Sequence, residues 1–303
     1  MIQTVGCIIQ GDIMEILLDG VSFRYTAESS VLDNITLEMG GAQVISILGP
    51  NGVGKSTLIH CINKILDPSE GTVFVDGKEV SDYSLKEMAR KIGYVPYSSS
   101  DTFPLTVVDT VLLGRHPHAG WKTTDEDLEI VFDVLEKLGI QDLSMRYFTE
   151  LSAGQRQRVM LARGLVQKPK VIMLDEPTSN LDIKHQLGIS RTLKDLSRDE
   201  GILVIMISHD LNIASRYSDN VILMHEGKIF DIGSPQKVLT VDNIRTVYGV
   251  NSRIIDDDGH PYIILKDEEN LDRPCSDPDI ICSRNAIPHS GSKPVNAEGV
   301  VNG

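Results

Sequence analysis

The sequence predicts an α/β fold in which a mainly parallel core sheet is joined to an antiparallel β subdomain and to an inserted α-helical subdomain. The first observation is an apolar, β-branched run at residues 44–48, followed by a glycine-rich turn and by apolar residues at helical spacing. The second is a set of later apolar runs separated by helix-length segments, which is typical of parallel strands. These runs are residues 171–175, 203–207 and 221–224. The third is the alternation of apolar and polar side chains within residues 15–39, which indicates antiparallel pairing.

Residues 49–57 fit the pattern G-x-x-x-x-G-K-[ST] of a phosphate-binding P-loop, between a predicted strand and a predicted helix. The glycines let backbone N–H groups close around phosphate oxygens, and the helix N-terminus adds partial positive charge. In this pattern Lys55 reaches the β- and γ-phosphates, and the Ser56 hydroxyl ligates Mg²⁺. We therefore predict a P-loop NTPase. Its predicted nucleotide-contacting residues are Gly49, Pro50, Asn51, Gly52, Val53, Gly54, Lys55, Ser56 and Thr57.

A pair of carboxylates ends the apolar run at residues 171–176. The carboxyl ends of parallel strands meet at one edge of a sheet, so we expect this pair to lie beside the P-loop. There Asp175 suits a Mg²⁺ ligand, directly or through water. Glu176 is then placed to take a proton from the water that attacks the γ-phosphate. The alternative is an acidic turn before Pro177, and the upstream P-loop makes that the weaker interpretation.

Composition limits the classes of function. The chain has 303 residues and a net charge of −14, which argues against a surface built for nucleic acid or anionic lipid. No apolar run approaches the roughly 20 residues that a membrane-spanning helix needs. The four cysteines lie far apart and form no C-x-x-C pair, so free thiols in a reducing cytoplasm are expected.

The helical subdomain is predicted over residues 98–165. Within it, residues 125–138 form an amphipathic helix, and a capping box of Thr123 with Glu126 is expected at its start. The apolar face of this helix consists of Leu128, Val131, Phe132, Leu135 and Leu138.

The two ends of the chain differ from its middle. Residues 1–13 precede Met14 and are predicted as a loose N-terminal extension. The domain that carries the P-loop is assigned to residues 14–245, and a C-terminal hairpin to residues 246–266. Residues 267–303 are rich in Pro, Asp, Asn, Ser and Gly, a composition that predicts disorder.

A second helix start carries small residues that leave its end open to an anion. Residues 151–155 read Leu-Ser-Ala-Gly-Gln, and Ser152 is a suitable N-cap. In isolation this segment is an ordinary helix start, and its meaning depends on the other motifs.

In this order, the P-loop, residues 151–155, residues 171–176, residues 179–182 and His209 resemble the ATP-binding subunit of ABC transporters. The resemblance covers about residues 15–245. It implies ATP and Mg²⁺ as cofactors and a homodimer in which two subunits enclose two ATP molecules. It also implies that Lys55, Glu176 and His209 are the catalytic residues, with His209 contacting the γ-phosphate.

The same resemblance assigns further nucleotide contacts. Ser152, Gly154 and Gln155 of one subunit would contact the γ-phosphate held by the P-loop of the other. Tyr25 occupies the position of an aromatic residue that stacks on adenine. Asp182 belongs to the loop that crosses between the subunits.

Two positions depart from the family pattern. Ala153 stands where glycine is commoner, and we expect little effect unless the backbone needs a positive φ there. Tyr97 stands where the family has a glutamine that contacts Mg²⁺ and senses the membrane subunit. A phenol is a poorer neutral metal ligand, so we expect water to replace the glutamine, with Ser98 or a coupling role for Tyr97 as alternatives.

Residues 102–107, residues 113–117 and the segment that starts at Tyr248 resemble importers of iron chelates, haem and cobalamin. This implies a peripheral subunit on the cytoplasmic face of the membrane. Its partners would be two polytopic permease subunits and, indirectly, an extracellular substrate-binding protein, with no nucleic acid. Two alternatives stay open: a soluble ABC ATPase for cluster assembly or nucleic-acid repair, and a weakly hydrolysing nucleotide-gated regulator. His116 and His118 are expected to be exposed loop histidines without a metal.

Overall fold

The computed structural model describes residues 3–5, 14–26, 29–97, 104–118 and 123–266. In chain order the strands are β1 (Gln3–Val5), β2 (Glu15–Thr26), β3 (Ser29–Gly40), β4 (Val44–Leu48), β5 (Glu70–Val75), β6 (Lys78–Glu79), β7 (Ile92–Val95), β8 (Val171–Leu174), β9 (Leu203–Ile207), β10 (Asn220–His225), β11 (Lys228–Gly233), β12 (Asn251–Asp257) and β13 (His260–Lys266). The helices are α1 (Lys55–Ile62), α2 (Leu85–Lys91), α3 (Val107–Leu112), α4 (Asp125–Lys137), α5 (Ala153–Leu165), α6 (Ile183–Glu200), α7 (Leu211–Tyr217), α8 (Pro235–Val238) and α9 (Val241–Tyr248).

The core sheet has the strand order β11-β10-β4-β9-β8-β7. Neighbouring strands from β10 to β7 pair in parallel, and β11 pairs antiparallel with β10 at one edge. The four apolar runs predicted from the sequence are β4, β8, β9 and β10. Every residue of β4, β8 and β9 is buried, which explains why these strands read as continuous apolar runs.

Side chains of the core sheet alternate between apolar clusters on its two faces. Ile45 and Ile47 of β4 belong to the cluster that the antiparallel sheet and α1 also form. Val44 belongs to the second cluster, which contains residues of α3, α4, α5 and α6. This period of two places β4 between two layers, so the loop after it opens at the edge of a sheet that is covered on both faces.

The antiparallel subdomain is a sheet with the order β1-β3-β2-β5-β6. Its long β2–β3 pair agrees with the antiparallel pairing predicted within residues 15–39, and β5 and β6 form a second antiparallel pair. Residues 3–5 of the predicted extension add a strand that runs parallel to β3. The rest of residues 1–13 lies outside the described residues.

The helical subdomain contains α3, α4 and α5, and two details of its prediction are wrong. The capping box at the start of α4 consists of Thr124 and Asp127, one residue later than expected. Asp127 is favoured because its carboxylate also receives a hydrogen bond from Arg115, a contact that the local sequence does not reveal. Phe132, expected on the buried face, is 47% exposed, because the rest of the subdomain covers a narrower stripe of α4.

A buried ion pair ties this subdomain together. The Arg115 Nε lies 2.8 Å from Asp127 Oδ1, and the Arg115 Nη1 donates to the carbonyl of Val166 at 2.8 Å. Arg115 beside Asp127 holds the pKa of that carboxyl below its usual range, and the Thr124 hydrogen bonds act in the same direction. Beside it, a Cβ on Gly114 would lie 2.1 Å from the Arg163 carbonyl oxygen. Gly114 and Arg115, which belong to the segment 113–117, therefore help to pack the helical subdomain.

The chain after β11 folds against the core as α8, α9 and the β12–β13 hairpin, which agrees with the predicted late hairpin. The proposed boundary at residue 245 falls within α9. Residues 267–303, predicted to be disordered, lie outside the described residues. In the described part of the chain, no helix combines the length and apolar character needed to cross a bilayer.

Candidate nucleotide-hydrolysis site

The P-loop follows β4, and its backbone conformation requires glycine. Gly49 has a φ of 145°, and a Cβ there would lie 2.4 Å from the carbonyl oxygen of Met224. Gly54 has a φ of 99°, and a Cβ there would lie 2.7 Å from the carbonyl oxygen of Val31. Larger residues are excluded at both positions by backbone strain and by contact with neighbouring backbone. The remaining P-loop residues complete the turn into α1, with Asn51 and Gly52 exposed.

Lys55 is buried at the start of α1, and its ammonium group points back into the loop. Its Nζ donates to the carbonyl oxygens of Gly49 and Pro50, at 2.8 Å each. Burial lowers the pKa of Lys55, while the nearby carboxylates of Glu176 and Asp175 act in the opposite direction. The ammonium group is thus already at the centre of the loop, where a phosphate oxygen can replace a carbonyl as its acceptor.

Ser56 and Asp175 form an oxygen pair next to Lys55. The Ser56 hydroxyl donates to Asp175 Oδ1 at 3.2 Å. Burial raises the pKa of Asp175, and the Ser56 hydrogen bond opposes that shift. A buried carboxylate and a hydroxyl side by side offer two oxygen ligands, which is a favourable arrangement for a hard divalent cation.

Glu176 is held by two side chains. Its Oε1 lies 2.5 Å from His209 Nε2, and its Oε2 accepts a hydrogen bond from the Ser179 hydroxyl at 2.8 Å. Glu176 also has a φ of 52°, an uncommon conformation for a residue with a side chain. The turn that contains Glu176 and Ser179 therefore fixes the direction of the carboxylate at the end of β8.

Strand order explains why His209 reaches Glu176. In the core sheet β9 lies between β4, which precedes the P-loop, and β8, which precedes the two carboxylates. His209 follows β9, so it lies between the P-loop and the carboxylate pair at this edge of the sheet. The acidic pair nevertheless reaches the P-loop, because α1 brings Ser56 to Asp175.

Tyr25 extends from β2 toward the start of α1. It is 62% exposed, its ring meets Phe23 edge-to-face with 4.9 Å between centroids, and its hydroxyl lies 3.5 Å from Thr57 Oγ1. An exposed aromatic ring at the mouth of the P-loop has a free face available for stacking on a base.

Residues 152–155 lie at the start of α5, apart from these groups. Ser152 and Gln155 form a reciprocal capping box, in which the Gln155 amide oxygen accepts from the Ser152 backbone N–H at 3.0 Å. Asp182 is the N-cap of α6, and its Oδ1 accepts from the His185 backbone N–H at 2.9 Å. Among the described residues, no hydrogen bond or ion pair joins residues 152–155 or Asp182 to the P-loop.

The two departures from the expected pattern have simple structural settings. Ala153 begins α5 and does not have a positive φ, so its extra methyl group meets no backbone strain. Tyr97 is 51% exposed, and its hydroxyl accepts from the Asn180 side-chain amide at 3.3 Å rather than from a group near Ser56. Ser98 lies outside the described residues.

Sequence reasoning missed three contributors to this region. Ser179 and Asn180 contact Glu176 and Tyr97, and they could have been found from their place in the segment 179–182. His185 was not recognised, because nothing in the local pattern distinguishes it from other polar residues of a helix start.

For the two loop histidines, His116 is exposed and His118 Nε2 is 2.9 Å from the Gln167 carbonyl oxygen.

Comparison with known proteins identifies the arrangement. The family model for ABC transporters matches residues 32–179. An uncharacterized ABC transporter ATP-binding protein from Methanocaldococcus jannaschii is 44% identical over 252 residues, which is 83% of this chain and 98% of that protein. The chain belongs to the ATP-binding subunits of ABC transporters. As a member of this family it binds ATP and hydrolyses it.

Two ABC transporter subunits with a named cargo are also similar. The ferric enterobactin transport ATP-binding protein of Escherichia coli strain K12 is 37% identical, over 78% of this chain and 88% of that protein. The hemin import ATP-binding protein of Escherichia coli O157:H7 is 38% identical, over 77% of this chain and 93% of that protein.

Solved structures of ABC transporters share the fold. A chain of an inward-facing ABC transporter assigned to the metal-chelate type has a TM-score of 0.74 and 26% identity, over 85% of this chain and 99% of that one. The ADP conformation of an ATP-binding cassette has a TM-score of 0.71 and 27% identity, over 78% and 98%. A dimeric bacterial cassette has a TM-score of 0.65 and 30% identity, over 73% and 98%.

Proposed function

We propose that this subunit powers the import of an iron(III) chelate, haem or cobalamin through partner permease subunits, from the cytoplasmic face of the cell membrane. The observation that carries the proposal is the similarity to the ferric enterobactin and hemin subunits over 88% and 93% of their length. The two relatives are about equally similar to this chain, at 37% and 38% identity, although the cargoes in their names differ. The choice of cargo therefore lies outside this subunit.

The donor set fits Mg²⁺. Adjacent ligands of an octahedral Mg²⁺ with bonds of about 2.1 Å lie about 3.0 Å apart. The Ser56 and Asp175 oxygens are 3.2 Å apart, so both can ligate one ion with small adjustments. When bound with ATP, Mg²⁺ would neutralise charge on the β- and γ-phosphates. Tyr97 faces Asn180, which supports water rather than the phenol at the position of the usual glutamine.

The chain's own residues then divide the work. Lys55 exchanges its carbonyl acceptors for phosphate oxygens and stabilises their charge. Glu176 takes the proton from the attacking water, and His209 and Ser179 orient the Glu176 carboxylate for that transfer. Tyr25 stacks on the adenine.

We further propose that two subunits close around two ATP molecules. Among the described residues, no hydrogen bond or ion pair joins Ser152, Gly154, Gln155 or Asp182 to their own P-loop, which supports a contact with the nucleotide of a second subunit. Closing the dimer on ATP and reopening it after hydrolysis would move the permease subunits and drive transport.

The substitution Glu176→Gln tests the hydrolytic site. It keeps the size and hydrogen bonding of the side chain but removes the base, so turnover should fall by about 10²–10⁴-fold while ATP still binds. An ATP-bound dimer should accumulate, visible by analytical ultracentrifugation. Glu129→Gln, an exposed residue of α4, is the matched control and should keep normal turnover. Near-normal hydrolysis in Glu176→Gln would exclude Glu176 as the base.

The importer role has a separate test. The subunit should co-purify with a polytopic membrane protein, and its ATPase rate in the reconstituted complex should rise when the loaded binding protein is added. A chain that is fully active without any membrane partner, and that no such partner stimulates, would instead favour the soluble class of ABC ATPase.

A further inference from the structure

His185, in the first turn of α6, touches two segments at once. Its backbone N–H donates to Asp182 Oδ1 at 2.9 Å, and its ring Nδ1 lies 2.8 Å from Asp182 Oδ2. Both oxygens of the Asp182 carboxylate are thus held by His185. Because the carboxylate is an acceptor, the ring nitrogen that faces it carries the proton.

The other side of the His185 ring lies against Gly154. A Cβ built on Gly154 would be 2.5 Å from His185 Cδ2, 2.8 Å from Cγ and 3.1 Å from Nε2. This distance is shorter than any real carbon–carbon contact, so the imidazole fills the space that glycine leaves at the start of α5. One turn further along, the Arg158 side chain reaches within 3.7 Å of the Cβ position of Gly188. A second side chain of α5 therefore comes close to α6, one turn from the contact between His185 and Gly154.

We propose that His185 is a positioning residue that fixes the loop of Asp182 to residues 152–155, so that both segments meet the second subunit as one rigid unit. The inference rests on the proposed function, in which both segments contact the partner's nucleotide. Among the described residues, no hydrogen bond or ion pair joins the Asp182 loop to residues 152–155, so the packing of the His185 ring on Gly154 is the contact that the proposal uses.

The bridge requires two properties of histidine. The Nδ1–H donor is needed for the hydrogen bond to Asp182. The thin, planar ring is needed to fit against Gly154 without pushing α5 away. Asparagine places an amide donor close to the position of Nδ1 but is shorter, so it should restore the hydrogen bond and lose the contact with Gly154. Alanine loses both contacts.

ATP-dependent dimerisation in the Glu176→Gln background measures the bridge. A hydrogen bond to a charged group typically changes an equilibrium by about 10-fold or more, and a symmetric dimer contains the contact twice. In His185→Ala the dimer dissociation constant should rise by about 10–100-fold, whereas His185→Asn should recover part of that loss. ATP affinity of the monomer should be unchanged, because the P-loop is not altered. Lys184→Ala, an exposed neighbour in the same turn, should dimerise normally.

Hydrogen exchange of the nucleotide-free monomer supplies a measurement that does not depend on dimerisation. In His185→Ala, the amides of residues 152–156 and 182–186 should exchange faster together, and in Lys184→Ala neither segment should change. If Glu176→Gln forms no dimer, the proposed function fails while the exchange experiment still tests the bridge. Unchanged exchange at residues 152–156 in His185→Ala, or normal dimerisation of that variant, would overturn the inference.

Discussion

Replacing Arg115 by methionine should lower the free energy of unfolding by more than the loss of an exposed ion pair would. The side chains of Arg115 and Asp127 are 10% and 5% exposed, and Arg115 also satisfies the Val166 carbonyl. Methionine keeps much of the apolar length of arginine. It leaves the Asp127 charge without its cation and the carbonyl without its donor.

Breaking a buried pair by removing one partner typically costs about 3–5 kcal/mol. For a protein of this size, each kcal/mol lowers the melting temperature by roughly 2–4 °C, so a decrease of roughly 6–20 °C is expected. Arg198→Met is the matched control. Arg198 pairs with Asp195 and Asp199 but is 66% exposed, and such a pair contributes about 0–1 kcal/mol.

Urea unfolding of the nucleotide-free protein measures both losses on the same scale. The double variant Arg115→Met with Asp127→Asn should regain part of the stability, because the uncompensated charge is gone. If Arg115→Met loses no more than Arg198→Met, the ion pair does not hold the helical subdomain, and the reasoning from burial is refuted.

Three further predictions can be tested with ordinary assays. Arg115 lowers the pKa of Asp127 in the folded protein, so the pair contributes its full stability above the pKa of an unfolded aspartate, about 3.9. That contribution is lost as the pH falls through the lower pKa of the folded state. Asp127→Asn should therefore reduce the loss of stability at acid pH in unfolding experiments. Tyr97→Gln should lower the Mg²⁺ concentration needed for half-maximal ATPase and leave Mg²⁺-free nucleotide affinity unchanged, whereas an unaltered Mg²⁺ curve with weaker transport per ATP would favour the coupling role. Deleting residues 267–303 should change melting temperature and ATPase little, since their composition buries little apolar area, and a cooperative loss of folding would contradict this.

The core sheet could be predicted from the sequence because its strands are buried on both faces. Such strands need apolar residues at every position, so β4, β8 and β9 appear as uninterrupted runs. Their order in the sheet was not predictable in the same way. Nothing in the runs shows that β9 lies between β4 and β8, and that arrangement brings His209, after β9, next to Glu176, after β8.

The errors in the helical subdomain have one cause, which is that local patterns describe a helix without its neighbours. Thr123 and Thr124 are both plausible N-caps, each followed three residues later by an acidic residue. The contact of Asp127 with Arg115 selects the second. Phe132 has the correct period for the buried face, but periodicity does not give the width of the surface that covers it.

The candidate site shows the same division between local and distant information. The P-loop and the carboxylate pair were predictable, because in each the residues that carry the chemistry are close together in one continuous stretch. The groups that orient these residues come from turns and helix starts elsewhere in the chain. Ser179 reaches Glu176 only because Glu176 adopts a left-handed conformation that folds the turn back on itself. His185 matters only because Gly154, far away in the sequence, leaves room for its ring. A glycine inside a helix start therefore carries information about its partner: where a motif requires the absence of a side chain, the neighbouring side chain that fills that space is the next residue to test.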